Sequence, residues 1–172
     1  MKKQYIVVDV EADGPIPGDY SMVCFGAVLQ KDTSKTFFGK LQPISENYIP
    51  EALAVSGYTR DETLDFPDPV LTMQEFETWI LSVTEGGRPV FIADNNGFDW
   101  QFINWYFHHF LKRNPFGHSS SNINSLYHGV VRSTFKSFKH LRKTKHTHNP
   151  LDDALGNTEA LNAIIAKYNV AI

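Results

Sequence analysis

The residues Tyr5-Ile-Val-Val-Asp-Val10 form a β-branched apolar run broken by one acid. That run is too short for a helix and reads as a buried strand. Glu11 to Tyr20 is dense in Gly, Pro and Asp and reads as a loop. Ser21–Gln30 predicts a second strand, Lys31–Ser34 a turn and Thr36–Leu41 a third strand. The short connections make these three an antiparallel meander. After Pro50 the period changes. Glu51–Val55 suits a short helix that ends near Gly57. Pro69–Val83 places Val70, Met73, Phe76, Ile80 and Val83 at helical spacing, and Gly86-Gly87 ends it. Pro89–Ala93 is a fourth, buried strand. Phe98–Leu111 carries Phe98, Phe102, Trp105, Tyr106 and Phe110 on one broad helical face. Ile123–Tyr127 is the candidate fifth strand. Leu126–Phe138 fits either state, with a helix allowed after Gly129. Leu151–Tyr168 reads as the last helix.

The order β-β-β-α-β-α-β-α-α implies an α/β fold. Its mixed five-stranded sheet has three antiparallel strands first and helices packed on it. With 172 residues and no linker-like stretch, the chain reads as a single domain over 1–172. No apolar run approaches the roughly 20 residues of a membrane helix, so no membrane partner is expected. The N-terminal apolar stretch ends in acids and lacks a small-residue cleavage site, so it reads as a strand and not a leader. Cys24 is the only cysteine, which excludes an internal disulfide and favours a reducing, cytoplasmic setting.

Charge is unevenly distributed. The net charge is -3, yet Trp100–Leu151 contains no Asp or Glu, eight Lys and Arg, and all seven histidines. A segregated basic segment suits an anionic partner, or else a solvated loop balanced by the acidic remainder. The stretch Arg132–Asn149 is expected to be the most flexible.

Acids occupy positions that a core would not favour. Asp9 interrupts the first strand and Glu11 follows two residues later, on the same face of a strand. Paired carboxylates at a sheet end are costly unless a cation neutralises them, and hard oxygen ligands suit Mg²⁺ or Mn²⁺. Asp99 follows the fourth strand in the first turn of a helix. Asp152 and Asp153 open the last helix behind Pro150. Each acid alone is equally compatible with a fraying strand or a helix cap.

Their order along the chain is more specific. Asp9-Val-Glu11, Asn95-Asn-Gly-Phe-Asp99 and His148-Asn-Pro-Leu-Asp-Asp153 resemble the motifs of the DEDDh branch of the DEDD 3′→5′ exonucleases, which includes proofreading subunits, oligoribonuclease and ribonuclease T. Val55-Ser-Gly-Tyr-Thr59 resembles a further helix-and-turn motif of that family. The sister branch carries Tyr where this chain has Asn149. The resemblance spans nearly the whole chain. It implies a ribonuclease-H-like fold and two divalent ions held by Asp9, Glu11, Asp99 and Asp153, with His148 as general base. The spacing from His148 selects Asp153 and leaves Asp152 as second choice. The products would be nucleoside 5′-monophosphates released from single-stranded nucleic acid, with RNA slightly preferred, and a homodimer is possible.

The substrate side departs from the family. Ala12-Asp13-Gly14 stands where relatives carry a hydroxyl residue, and Asp94 stands where many have His. Ala12, Asn95, Phe98 and Trp100 are the candidate substrate contacts. Lys and Arg of 136–145 could hold phosphates. The six other histidines show no ligand spacing. Two further readings are a catalytically silent nucleic-acid-binding module and a phosphodiesterase of short nucleotides.

Overall fold

A computed structural model describes residues 2–172. The strands are β1 (Lys3–Ala12), β2 (Met22–Leu29), β3 (Asp32–Lys40), β4 (Arg88–Ala93) and β5 (Ser120–Asn122). The helices are α1 (Pro50–Val55), α2 (Arg60–Leu64), α3 (Pro69–Thr84), α4 (Asn96–Tyr106), α5 (Ile123–Val131) and α6 (Pro150–Tyr168). A π-helical turn, Phe107–Leu111, continues α4, and a 3₁₀ turn spans Lys139–Leu141. The sheet order is β3-β2-β1-β4-β5. β1 runs antiparallel to β2 and parallel to β4, so the expected mixed five-stranded α/β sheet is present.

Alternation along β1 assigns its two faces. Ile6, Val8 and Val10 join the core that includes Met73, Phe76 and Ile80 of α3 and Phe102 and Tyr106 of α4. Tyr5 and Val7 join the core built with Ile123 and Tyr127 of α5 and Leu161 and Ile164 of α6. The odd-numbered series continues into Asp9 and Glu11, so the period of two aims both carboxylates toward the α6 side of the sheet.

The fifth strand lies elsewhere than expected. Ile123–Tyr127 is the start of α5, and β5 is the polar tripeptide before it, paired parallel to β4 through Ser120, Ser121 and Asn122. Two local forces decide this. The Asn122 side chain accepts the Ser125 amide at 2.6 Å as an N-cap, and Ile123 and Tyr127 share one buried face at i and i+4. α2 is likewise absent from the hydrophobic pattern. It is built by a capping box in which Thr59 and Glu62 bond each other's backbone amides.

Residues 138–148 run back along α6 and are anchored to it. Phe138 is fully buried, and Glu159 accepts the amides of Lys143 and Thr144 at 2.8 and 2.7 Å. Among the described residues no helix is long and apolar enough to cross a membrane.

Candidate active site

The carboxylates meet at the C-terminal end of β1. Asp9 and Glu11 project from the strand. Oxygens of Asp9, Glu11 and Asp153 all lie within 4.8 Å of one another. Asp153 reaches them because α6 begins almost in contact with the sheet. Gly26 on β2 pairs with Asp9, and a Cβ there would stand 2.4 Å from the Leu151 backbone nitrogen. A bare backbone at that point admits the first turn of α6. Pro150 and the Asn149 side chain, which accepts the Leu151 amide at 3.0 Å, start the helix there.

Asp99 arrives from the other side, in the first turn of α4, and is almost completely buried. Its Oδ1 accepts the Val10 amide at 3.1 Å and so ties α4 to β1 between the two acids. Its Oδ2 is buried with no hydrogen-bond partner. Such an orphan oxygen is unfavourable unless a cation or a proton meets it.

The electrostatics agree. Burial, and then the charge of Asp99, raise the Asp9 carboxyl well above the ordinary carboxylate range. Burial, and then Asp94, do the same to Asp99. Burial, and then Asp153, push Glu11 up to about 7. A group of carboxylates that resists ionisation is a ready receiver of hard divalent cations, which replace the missing protons. The donor set therefore fits divalent metal.

His148 stands at the rim, half exposed, with Nδ1 4.0 Å from Glu11 Oε1. Its φ is +60°, a left-handed conformation rare for a residue with a side chain. Asp153 stabilises this turn by accepting the His148 amide at 3.1 Å and the Thr147 amide at 3.3 Å. Asp152 instead accepts the Thr147 hydroxyl at 3.0 Å, outside the acidic group.

The expected substrate contacts are less concentrated. Ala12 is buried beside a β-bulge at the end of β1. Asn95 is exposed at the N-cap of α4, where its carbonyl accepts the Phe98 and Asp99 amides. Phe98 is half-buried against Phe102. Trp100 packs on Phe91 and lines a surface groove with Pro17, Gln101 and Trp105. It is not brought to the acids.

Three neighbours of the site escaped sequence reasoning. Arg142, assigned there to the phosphate-holding segment, is turned inward. It donates to Asp94 at 3.0 Å and to Asn157, and it lies 4.0 Å from Asp153. The departure at Asp94 is thus matched by a buried cation 48 residues away. His146, set aside as lacking ligand spacing, places Nδ1 2.7 Å from Asp153 Oδ1. Gly26 carried no signal beyond a glycine inside a strand, which marks close approach of another backbone. Asp13 has a structural role. It accepts the Ser21 amide at 2.5 Å and pairs with Arg60 at 3.0 Å, which fixes the loop after β1.

Fold and site together define a nuclease of ribonuclease-H-like architecture. The sequence is 44% identical over 137 residues to the 3′-5′ DNA exonuclease Cap18 of Escherichia coli, covering 78% of this chain and 73% of that one. The chain therefore belongs to the DEDDh family of 3′→5′ exonucleases. No family model matches the sequence. The fold is that of the nuclease domain of 3′hExo, a DEDDh family member solved bound to rAMP. Identity is 16%, the TM-score is 0.73, and coverage is 95% of this chain and 92% of that one. Cell-death related nuclease 4 superposes with a TM-score of 0.76 at 13% identity, over 96% of this chain and 64% of that one. The E. coli exonuclease I–ssDNA complex gives 0.72 at 16% identity, over 97% of this chain and 41% of the larger enzyme.

Proposed function

We propose that this exonuclease removes nucleoside 5′-monophosphates from the 3′-hydroxyl end of single-stranded DNA, within one domain over 1–172. Two Mg²⁺ or Mn²⁺ ions would be held by Asp9, Glu11, Asp99 and Asp153. The observation that carries the reading is the convergence of Asp9, Glu11 and Asp153, with Asp99 close enough to act on Asp9 and its buried Oδ2 unpartnered, and with His148 at the open rim. When bound, the ions would supply Lewis acidity at the scissile phosphate and at the attacking water. His148, half exposed at the rim, takes the proton of that water, the step expected of a general base. Glu11, the nearest carboxylate to that ring, favours the imidazolium that results. Phe98, adjacent to Asp99, offers a face for the terminal base.

DNA is favoured because Cap18 is named a DNA exonuclease and exonuclease I was solved with ssDNA. RNA is the second reading, favoured by the rAMP bound to 3′hExo. The test is a digestion panel of 5′-labelled single-stranded DNA, single-stranded RNA, duplex DNA and 3′-phosphorylated DNA, each with Mg²⁺ and with Mn²⁺. Mononucleotide release from 3′-hydroxyl DNA, blocked by the 3′-phosphate, is expected. Faster release from RNA would reverse the substrate assignment. Absence of mononucleotide under either metal would point to a silent binding module. Cleavage restricted to a dinucleotide would point to a short-nucleotide phosphodiesterase.

A further inference from the structure

We propose that His146 and His148, with the Asp153 carboxylate that they share with the acidic centre, form a second binding site for a borderline transition-metal ion of the Zn²⁺ class. Its occupation would arrest the enzyme by capturing the histidine assigned to proton transfer.

One nitrogen from each imidazole and one oxygen of Asp153 all lie within 4.8 Å of one another. His146 Nδ1 is 2.7 Å from Asp153 Oδ1, and the two rings sit 4.3 Å apart at 67°. Tetrahedral bonds of roughly 2.0–2.2 Å place ligand atoms about 3.3–3.5 Å apart. Both rings are about half exposed, at 48% and 54%, so they can reach that spacing by side-chain rotation alone. The backbone is already held for it. Asp153 accepts the Thr147 and His148 amides, and the left-handed turn at His148 keeps both imidazoles on the same carboxylate.

Chemistry separates this cluster from the acidic centre. Asp9, Glu11, Asp99 and the shared Asp153 offer only oxygen, which suits Mg²⁺ and Mn²⁺. Two imidazoles and one carboxylate are the donor set of open zinc sites, and nitrogen donors favour Co²⁺, Ni²⁺, Cu²⁺ and Zn²⁺ over Mg²⁺. His146 lies outside the three motifs that carry the family resemblance. Glu11 Oε1 stands 4.0 Å from His148 Nδ1 and would be the nearest further donor to an ion held there. Arg142, 4.0 Å from Asp153, opposes a cation there, but its charge is already shared with Asp94. The arrest rests on the functional reading given above; the metal site does not.

The test titrates the full chain with Co²⁺ alone, without nucleic acid, and follows the intense visible absorption of tetrahedral cobalt. Zn²⁺ binding is measured in parallel by equilibrium dialysis. The wild type and Asp9→Asn should both show the band. His146→Ala and His146→Gln, each checked for folding by circular dichroism, should lose it and weaken Zn²⁺ binding roughly tenfold or more. A band that survives in a folded His146 variant, or that vanishes in Asp9→Asn instead, would overturn the site. In a second arm Zn²⁺ is added to Mg²⁺-supported cleavage. The half-inhibiting Zn²⁺ concentration should rise roughly tenfold or more in the His146 variants. An unchanged value would overturn the arrest. A band that behaves as expected in a protein that cleaves nothing would remove the exonuclease reading and leave the metal site standing.

Discussion

Asp152 and Asp153 are adjacent carboxylates with opposite fates. Asp153 is 1% exposed, faces Asp9 and Glu11, and organises the turn that carries His148. Asp152 holds only a hydroxyl at the surface. Replacing Asp153 with Asn keeps the volume and removes the charge, so cleavage should be abolished with the fold retained. Asp152→Asn should stay within a few-fold of wild type in the same 3′-end release assay. His148→Ala should lower kcat by roughly 10²-fold or more, the usual scale for a general base. An unaltered kcat would mean that another group takes the proton. At this scale the sequence was most informative where residues repeat a fixed local spacing, as from His148 to Asp153. It was blind to Arg142 and His146, because their partners are chosen by three-dimensional approach. Arg142 meets Asp94 across 48 positions, and nothing near Arg142 in the chain announces a buried guanidinium.

At the scale of elements, the site depends on how closely α6 approaches the sheet. The alternation of β1 and the helical period of α6 were both legible, because each follows from side chains facing a core. Their mutual distance was not, since it is fixed by the missing side chain of Gly26 on a third element. Gly26→Ala would drive a methyl into the backbone of Pro150 and Leu151. The first turn of α6 would have to lift, moving Asp153 away from Asp9. A stability loss of roughly 1–3 kcal/mol is expected in urea unfolding, the usual cost of overpacking. The fall in kcat should exceed what the unfolded fraction explains. Equal losses would mean that the helix adjusts without moving the carboxylate. The misplaced fifth strand has a similar cause. Ile123 is β-branched, but Asn122 caps and the pair Ile123/Tyr127 packs only as a helix. Local propensity yields there to a cap and a shared face.

For the whole molecule, the acidic centre is a built-in cost to folding that metal should offset. Glu11 has a folded-state value of about 7 against an ordinary 4.5, and Asp9 and Asp99 are raised as well. A raised carboxyl binds its proton more tightly in the folded than in the unfolded chain. Its contribution is therefore fully present below the unfolded value and is lost as pH rises through the folded one. For Glu11 that window runs from about 4.5 to about 7, and the shift corresponds to about 3 kcal/mol at most. Asp9 and Asp99 act in the same direction. In EDTA, urea midpoints should fall steadily between pH 5 and pH 8. Saturating Mg²⁺ or Mn²⁺ binds the ionised carboxylates of the folded state only, so it should restore stability at pH 8 and add little at pH 5. Asp9→Asn removes one of the repelling charges. In EDTA at pH 8 it should be more stable than the wild type, and it should gain less from Mg²⁺. A metal-free protein whose midpoint is flat or rises over this range would mean that the carboxylates are not mutually destabilising. The case for a cation-neutralised centre would then fall with it.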